Sequence, residues 1–271
     1  MTKLQEITSR RELFVNLTLR ELRGKYKRSV LGWAWSLLNP LTTMVVYSFV
    51  FLYFMQVKPP VGDPSGLKNF AFFLMCGLIP FNFLSNGLNG GLMSLLGNAN
   101  LVNKTYFPRE ILVASSTASW LVSFLIELGL LAVALLFVGN IVIVWIPVIL
   151  LLIVIETMFV FGLALILSTA AVYFRDLQHL LGVVLQVWFF SAPIVYPMEL
   201  VTDRLPEGSW GLFIYDLNPM VRFVSAYRDL MYSLRWPETG DLAYLTVVSV
   251  TTLLVGYRVF GRLEGRLAEE I

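Results

Sequence analysis

Charge is what this sequence has least of. Asp, Glu, Lys and Arg make up 14% of its 271 residues, against about a quarter in a soluble domain, and the mean hydropathy is +0.74. Bulk water is excluded as the solvent of most of the chain. Cysteine is nearly absent too: Cys76 stands alone, which excludes an intrachain disulfide and a cysteine metal cluster, and it reads as a small apolar filler. The one histidine, His179, has no second ligand or base nearby and reads as structural or surface. No Gly-x-x-x-x-Gly-Lys-Ser/Thr string occurs, and the glycines between Gly87 and Gly97 have no lysine to meet a phosphate, so the chain does not hydrolyse ATP by itself. No cluster of carboxylates, and no nucleophile with a base, marks a membrane enzyme. The opening MTKLQEITSRRELF lacks the basic start and apolar run of a cleaved signal peptide, and the first span is expected to remain in the mature protein.

What the chain has instead is long apolar runs almost free of charge. A helix needs about 20 such residues to cross about 30 Å of hydrocarbon, because every backbone amide must find its partner within the segment. The runs predict an all-α integral membrane protein with six transmembrane helices, near Leu31 to Phe54, Asn69 to Leu96, Ile111 to Val138, Val144 to Phe174, Leu180 to Tyr196 and Leu242 to Phe260. Their unbroken hydrophobicity argues against the alternating strands of a membrane barrel. A single membrane domain over 1–271 is expected: a cytoplasmic interfacial segment 1–29, a six-helix part 30–260 and a cytoplasmic tail 261–271.

Basic residues set the expected orientation, since short loops rich in Lys and Arg stay in the cytoplasm. Lys3, Arg10, Arg11, Arg20, Arg23, Lys25, Lys27 and Arg28 precede the first run, Lys104 and Arg109 lie between the second and third, and Arg258, Arg262 and Arg266 mark the end. An even number of spans puts all three groups on one face, with both termini cytoplasmic. Leu4, Ile7, Phe14, Val15 and Leu22 share one helical face, as an amphipathic helix on the membrane surface requires; a solvated charged tail is the plainer reading. The opposite face would carry the turn at Gly139 and Asn140, the loop from Gln56 to Lys68 and the segment Glu199 to Asp241, in which Val221 to Leu234 reads as an amphipathic helix too short and charged to span. Short re-entrant helices are expected there.

The ends of the runs carry ordered strings. They are Arg28-Ser-Val-Leu-Gly-Trp-Ala-Trp-Ser-Leu-Leu-Asn-Pro40, Gly77-Leu-Ile-Pro-Phe-Asn-Phe-Leu-Ser85, Asn100-Leu-Val-Asn-Lys-Thr-Tyr-Phe-Pro-Arg-Glu110, Phe174-Arg-Asp-Leu-Gln-His179 with Leu185-Gln-Val-Trp-Phe-Phe-Ser-Ala-Pro-Ile-Val-Tyr-Pro197, and Asn218-Pro-Met-Val-Arg-Phe-Val-Ser-Ala-Tyr-Arg228. By physics alone Trp33 and Trp35 anchor a helix at headgroup level and Pro40 bends it. Together the strings resemble the permease subunits of type-2 ATP-binding cassette exporters, in the branch that moves lipid-linked polysaccharides and teichoic acids. The Asn-Lys-x-Tyr-Phe-Pro-Arg-Glu string is most similar to wall teichoic acid export permeases; O-antigen and capsule permeases carry related versions.

The resemblance implies roles. The loop Asn98 to Pro108 would be a coupling helix seated in a separate ATPase subunit, with Leu101, Val102, Asn103, Lys104, Tyr106 and Phe107 as contacts; an interfacial turn with an aromatic anchor is the alternative. ATP and Mg would belong to that partner, no cofactor or metal to this chain, and the assembly would be two permeases with two ATPases. A pathway for sugars would run along the first, second and fifth spans, past Tyr47, Tyr53, Phe81, Phe83, Trp188, Phe189 and Tyr196, unless these rings face the core or lipid. Lys25, Lys27 and Arg28 would collect an anionic lipid head. Arg175 and Asp176 mark a cytoplasmic turn, where Asp176 is expected to cap the following helix. Glu127 and Glu156 fall inside spans, where an unpaired carboxylate costs about 2.5–3.5 kcal/mol; the sequence offers no intramembrane Lys or Arg partner for either. The implied function is outward movement of a lipid-linked envelope polymer across a bacterial plasma membrane, with no nucleic-acid role. A drug or small-lipid exporter of related fold, and a lone membrane enzyme or ion-coupled transporter, remain open.

Overall fold

A computed structural model describes residues 3–26, 34–54, 56, 60–104, 107–206 and 208–265. Lys27, Arg28, Trp33, Tyr106 and the tail from 266 onward lie outside the described residues. Among the described residues every regular element is helical. The order is α1 (Lys3–Tyr26), α2 (Ala34–Ser48, continued by a π-helical stretch Phe49–Phe54), α3 (Phe70–Met93), α4 (Ala99–Lys104), α5 (Glu110–Phe137), α6 (Ile146–Tyr173), α7 (Leu177–Ser191), α8 (Glu199–Thr202), α9 (Trp210–Asp216), α10 (Pro219–Arg228, continued by a π-helical stretch Asp229–Ser233) and α11 (Thr239–Leu263).

Among the described residues four helical segments are long and apolar enough to cross a membrane: Phe70–Met93, Glu110–Phe137, Val142–Tyr173 and Thr239–Leu263. They coincide with the second, third, fourth and sixth expected spans. The first and fifth are shorter apolar helices, Pro40–Phe54 and Leu177–Ser191. The fifth run was expected to continue to Tyr196. It stops at Ser191 because Ala192 turns to an extended backbone, the conformation favoured before a proline such as Pro193.

Local chemistry sets the boundaries. Asn69 caps α3, its Oδ1 accepting from the amides of Ala71 at 2.9 Å and Phe72 at 3.4 Å. Gly139, at φ +89°, ends α5 in the expected turn, and Asn140 then donates from Nδ2 to the carbonyl of Met231 at 2.7 Å. Asn218 caps α10, accepting from Met220 at 3.0 Å, with Pro219 in the first turn, where its missing N–H costs nothing.

Helices α3, α5, α6 and α11 form the bundle, and small residues set their approach. A Cβ on Gly87 would lie 2.5 Å from Val160 Cγ1, one on Gly90 2.5 Å from Trp120 Nε1, and one on Gly162 2.6 Å from the Leu253 amide nitrogen. Gly256 faces the Gly162 carbonyl directly. Backbones come this close only where side chains are absent, the usual device of helix packing in lipid.

The basic loops gather at one end of this bundle. There the backbone N–H of Arg109 donates to Glu264 Oε1 at 3.2 Å, joining the start of α5 to the end of α11, and Arg20 of α1 bonds Asn98. Leu17, Leu95, Val102, Leu112 and Phe260 close a small apolar cluster there. Helix α1 packs on α5, and Lys25 reaches Ser123, 3.5 Å from its Oγ. Ser123 lies about 20 Å along α5 from Glu110 at 1.5 Å per residue, so α1 rises beside the bundle instead of lying wholly across its end.

Candidate translocation site

The aromatic residues singled out in the sequence divide into two groups. Tyr47 of α2, Phe81 of α3 and Phe189 of α7 come together: Phe189 has its ring centroid 6.2 Å from Tyr47 and 5.2 Å from Phe81 in a T-shaped pair. One aromatic seam therefore joins the three helices. Phe83, two residues from Phe81, points elsewhere and stacks on Phe124 of α5 at 4.5 Å, inside the core. Tyr53 is 70% exposed and stacks on Phe49 at 5.3 Å, apart from the seam. Trp188 faces the far end, donating its Nε1–H to Asn218 Oδ1 at 2.7 Å, and Tyr196 donates its hydroxyl back to the Phe190 carbonyl at 2.8 Å.

Above the seam, α10 is held by buried polar contacts between residues far apart in the chain. Tyr227 donates to Glu156 Oε2 at 2.8 Å, which gives the carboxyl of α6 a partner, while Oε1 has none among the described residues. The buried Arg228 donates to the Phe73 carbonyl at 3.3 Å, to Pro193 and to the Ile194 carbonyl at 2.6 Å. Its guanidinium also lies 3.6 Å from the centre of the Phe73 ring. One side chain thus ties α10 to the start of α3 and to the chain leaving α7. Gly77 leaves the room for it, since a Cβ there would sit 3.2 Å from Arg228 Nη2. The signal was present as an arginine ending an otherwise apolar helix face.

At the basic end, Leu101, Val102, Asn103 and Lys104 lie on α4. The expected short helix is there, but Val102 is buried at 3% exposure within the apolar cluster around Leu112, so it turns inward. Asn103 and Lys104 are exposed, and Phe107 is half-buried against that cluster. Arg175 and Asp176 are exposed in the turn between α6 and α7. Asp176 occupies the capping position, yet its side chain makes no capping bond. His179 is exposed beside them.

The reading of Glu127 without a basic partner is corrected by α1. Lys25 Nζ sits 3.3 Å from the centre of the Trp120 ring, and its charge acts on both Glu21 and Glu127. Burial pushes the ammonium down to about 7, with those two carboxylates pulling the other way. Glu127 itself borders an apolar cavity of about 300 Å³ beside Pro40, Met44 and Ile79. Because Lys25 and Glu127 stand far apart in sequence, no spacing rule could have joined them.

Comparison with known proteins covers nearly the whole chain. A family model described as ABC-2 type transporter matches residues 12–232. The chain is 32% identical over 275 residues to the O-antigen export system permease protein RfbA of Myxococcus xanthus, spanning 99% of this chain and 98% of that protein. It is 30% identical over 261 residues to the O-antigen export system permease protein RfbA of Klebsiella pneumoniae, spanning 95% and 94%. Similarity to the polysialic acid transport protein KpsM of Escherichia coli is 25% over 253 residues, spanning 90% of each.

Proposed function

The chain belongs to the ABC-2 type transporter family, and we propose that it is the membrane subunit of an exporter that moves a lipid-linked envelope polysaccharide outward across a bacterial plasma membrane. The end-to-end similarity to polymer-export permeases carries this reading. In it, α2 and α7 complete a set of six spans, α8 to α10 are re-entrant on the outer side, and both termini lie in the cytoplasm with the basic loops. A single domain, 1–271, does this work as two copies. An O-antigen type polymer agrees with the relatives; a teichoic acid is the second reading, favoured by the string Asn103 to Glu110.

Energy comes from a separate ATPase subunit, which binds ATP and Mg. It docks on the basic end, where Asn103 and Lys104 are exposed on α4; Leu101, Val102, Tyr106 and Phe107 are the other contacts of this reading. Because Phe107 packs into the apolar cluster that also holds Leu17 and Phe260, a push on this segment reaches α1, α5 and α11 together. The seam of Tyr47, Phe81 and Phe189 is the part of the expected pathway that the three helices share, with Trp188 and Tyr196 toward its exit. Lys25, with Lys27 and Arg28, supplies the charge that meets the anionic lipid head.

The test is co-purification with the ATPase subunit and reconstitution into vesicles, where polymer movement should be ATP-dependent. Replacing Lys104 and Phe107 with alanine should lower transport per ATP by about tenfold, within the 1–3 kcal/mol typical of coupling between sites. Unchanged coupling in that variant would refute the docking assignment.

A further inference from the structure

The far end of the molecule holds a polar cavity of about 600 Å³, a size suited to a few sugar units. Its floor is one face of α10 and of the turn beyond: Val221, Arg222, Ser225 and Asp229 follow one another at helical spacing. The opposite face, Met220, Phe223, Val224 and Tyr227, is buried in the core. The floor is fixed from behind by the Tyr227 and Arg228 contacts described above. Glu199, Asp216, Glu238 and Asp241 form the walls, with Arg235 and Trp236. Trp236 is 56% exposed, its ring 6.1 Å from that of Trp145.

Two features of this lining choose a ligand. The first is planarity: carboxylates and guanidiniums accept and donate in pairs, the geometry that vicinal hydroxyls offer, and an exposed indole gives a flat apolar face for the C–H side of a sugar ring. The second is charge. Five carboxylates meet two guanidiniums, an excess of three negative charges. Both arginines are already engaged, Arg222 with Asp241 at 2.6 Å and Arg235 with Asp229 at 2.7 Å. Glu199, Asp216 and Glu238 have no ion pair among the described residues. A polyanion passing within the Debye length of about 8 Å would be repelled.

We propose that this cavity is a carbohydrate subsite at the outer mouth, built for an uncharged sugar polymer and against a polyanionic one. This rests on the export reading and narrows its substrate class: a neutral polysaccharide is accepted, and a polyphosphate such as a teichoic acid chain is rejected. Arg222, Asp216 and Glu238 hold hydroxyls, and Trp236 supports the ring.

Binding to the purified full-length chain in nanodiscs tests this without the ATPase. A linear mannose tetrasaccharide should show saturation transfer, and a glycerol-phosphate tetramer should not, with or without Mg²⁺. Trp236→Ala, at an exposed position, should weaken the neutral ligand several-fold, up to about tenfold, the scale of a good aromatic contact. The triple variant Glu199→Gln, Asp216→Asn, Glu238→Gln should begin to admit the phosphate tetramer. Equal binding of the polyanion to the unaltered chain, binding of neither probe, or neutral binding indifferent to Trp236→Ala would overturn the proposal. Export activity retained alongside any of those results would leave the permease reading standing, so the two fail separately.

Discussion

At the scale of single residues, Tyr227 and Glu156 set the terms. A carboxyl fully buried in α6 is tolerable because the phenol of α10 meets it. Tyr227→Phe removes that donor and leaves both oxygens unpartnered, at a cost of about 1–3 kcal/mol. A lower midpoint of thermal unfolding in detergent is the expected outcome, and adding Glu156→Leu to Tyr227→Phe should recover most of it, because an apolar pair leaves no orphaned group. Lys25 gives a different signature. Its ammonium is pushed to about 7 by burial, whereas the unfolded chain keeps the ordinary value of about 10.4. Between those values the unfolded state binds more protons, so stability rises as pH increases from about 7 toward 10 and is flat below. Unfolding midpoints across that range should show the slope in the natural chain and lose it in Lys25→Met. Anionic lipid, by favouring the charged form, should flatten it as well.

At the scale of elements, the crossing of α6 and α11 depends on Gly162 and Gly256. A side chain on Gly256 meets backbone that cannot rotate away, so Gly256→Val should separate the helices, at an overpacking cost of about 1–3 kcal/mol or more. Size-exclusion profiles and folded yield report it; Gly129, with nothing near its missing Cβ, is the matched control. The four long helices were legible because each is an apolar run, nearly free of charge, that is longer than the bilayer requires, and no soluble alternative competes with such a run. The turn at Gly139 and Asn140 and the helix from Val221 were legible through turn and amphipathic patterns. The early end of α7 was written in Pro193 but outweighed by the apolar residues that follow it. What could not be read was contact between distant elements: the inward turn of Val102, the separation of Phe83 from Phe81, the reach of Lys25 to Trp120 and the ties of Arg228 all depend on packing directions that only the assembled bundle fixes.

At the scale of the whole molecule, the two ends differ in chemistry. The end bearing α4 gathers basic groups, while the cavity at the other collects carboxylates, and the aromatic seam runs in the bundle they bracket. The shortness of α7 has a mechanical consequence. Its 15 residues extend about 22 Å at 1.5 Å per residue, less than the roughly 30 Å of an average hydrocarbon core. In the six-span reading α7 is a short helix beside four long ones, and the bilayer on its flank must thin or stay under tension. Transport should therefore vary with acyl-chain length, being faster in vesicles of short-chain phosphatidylcholine than in long-chain ones. The membrane beside α7 is then a spring, compressed on that flank of the protein.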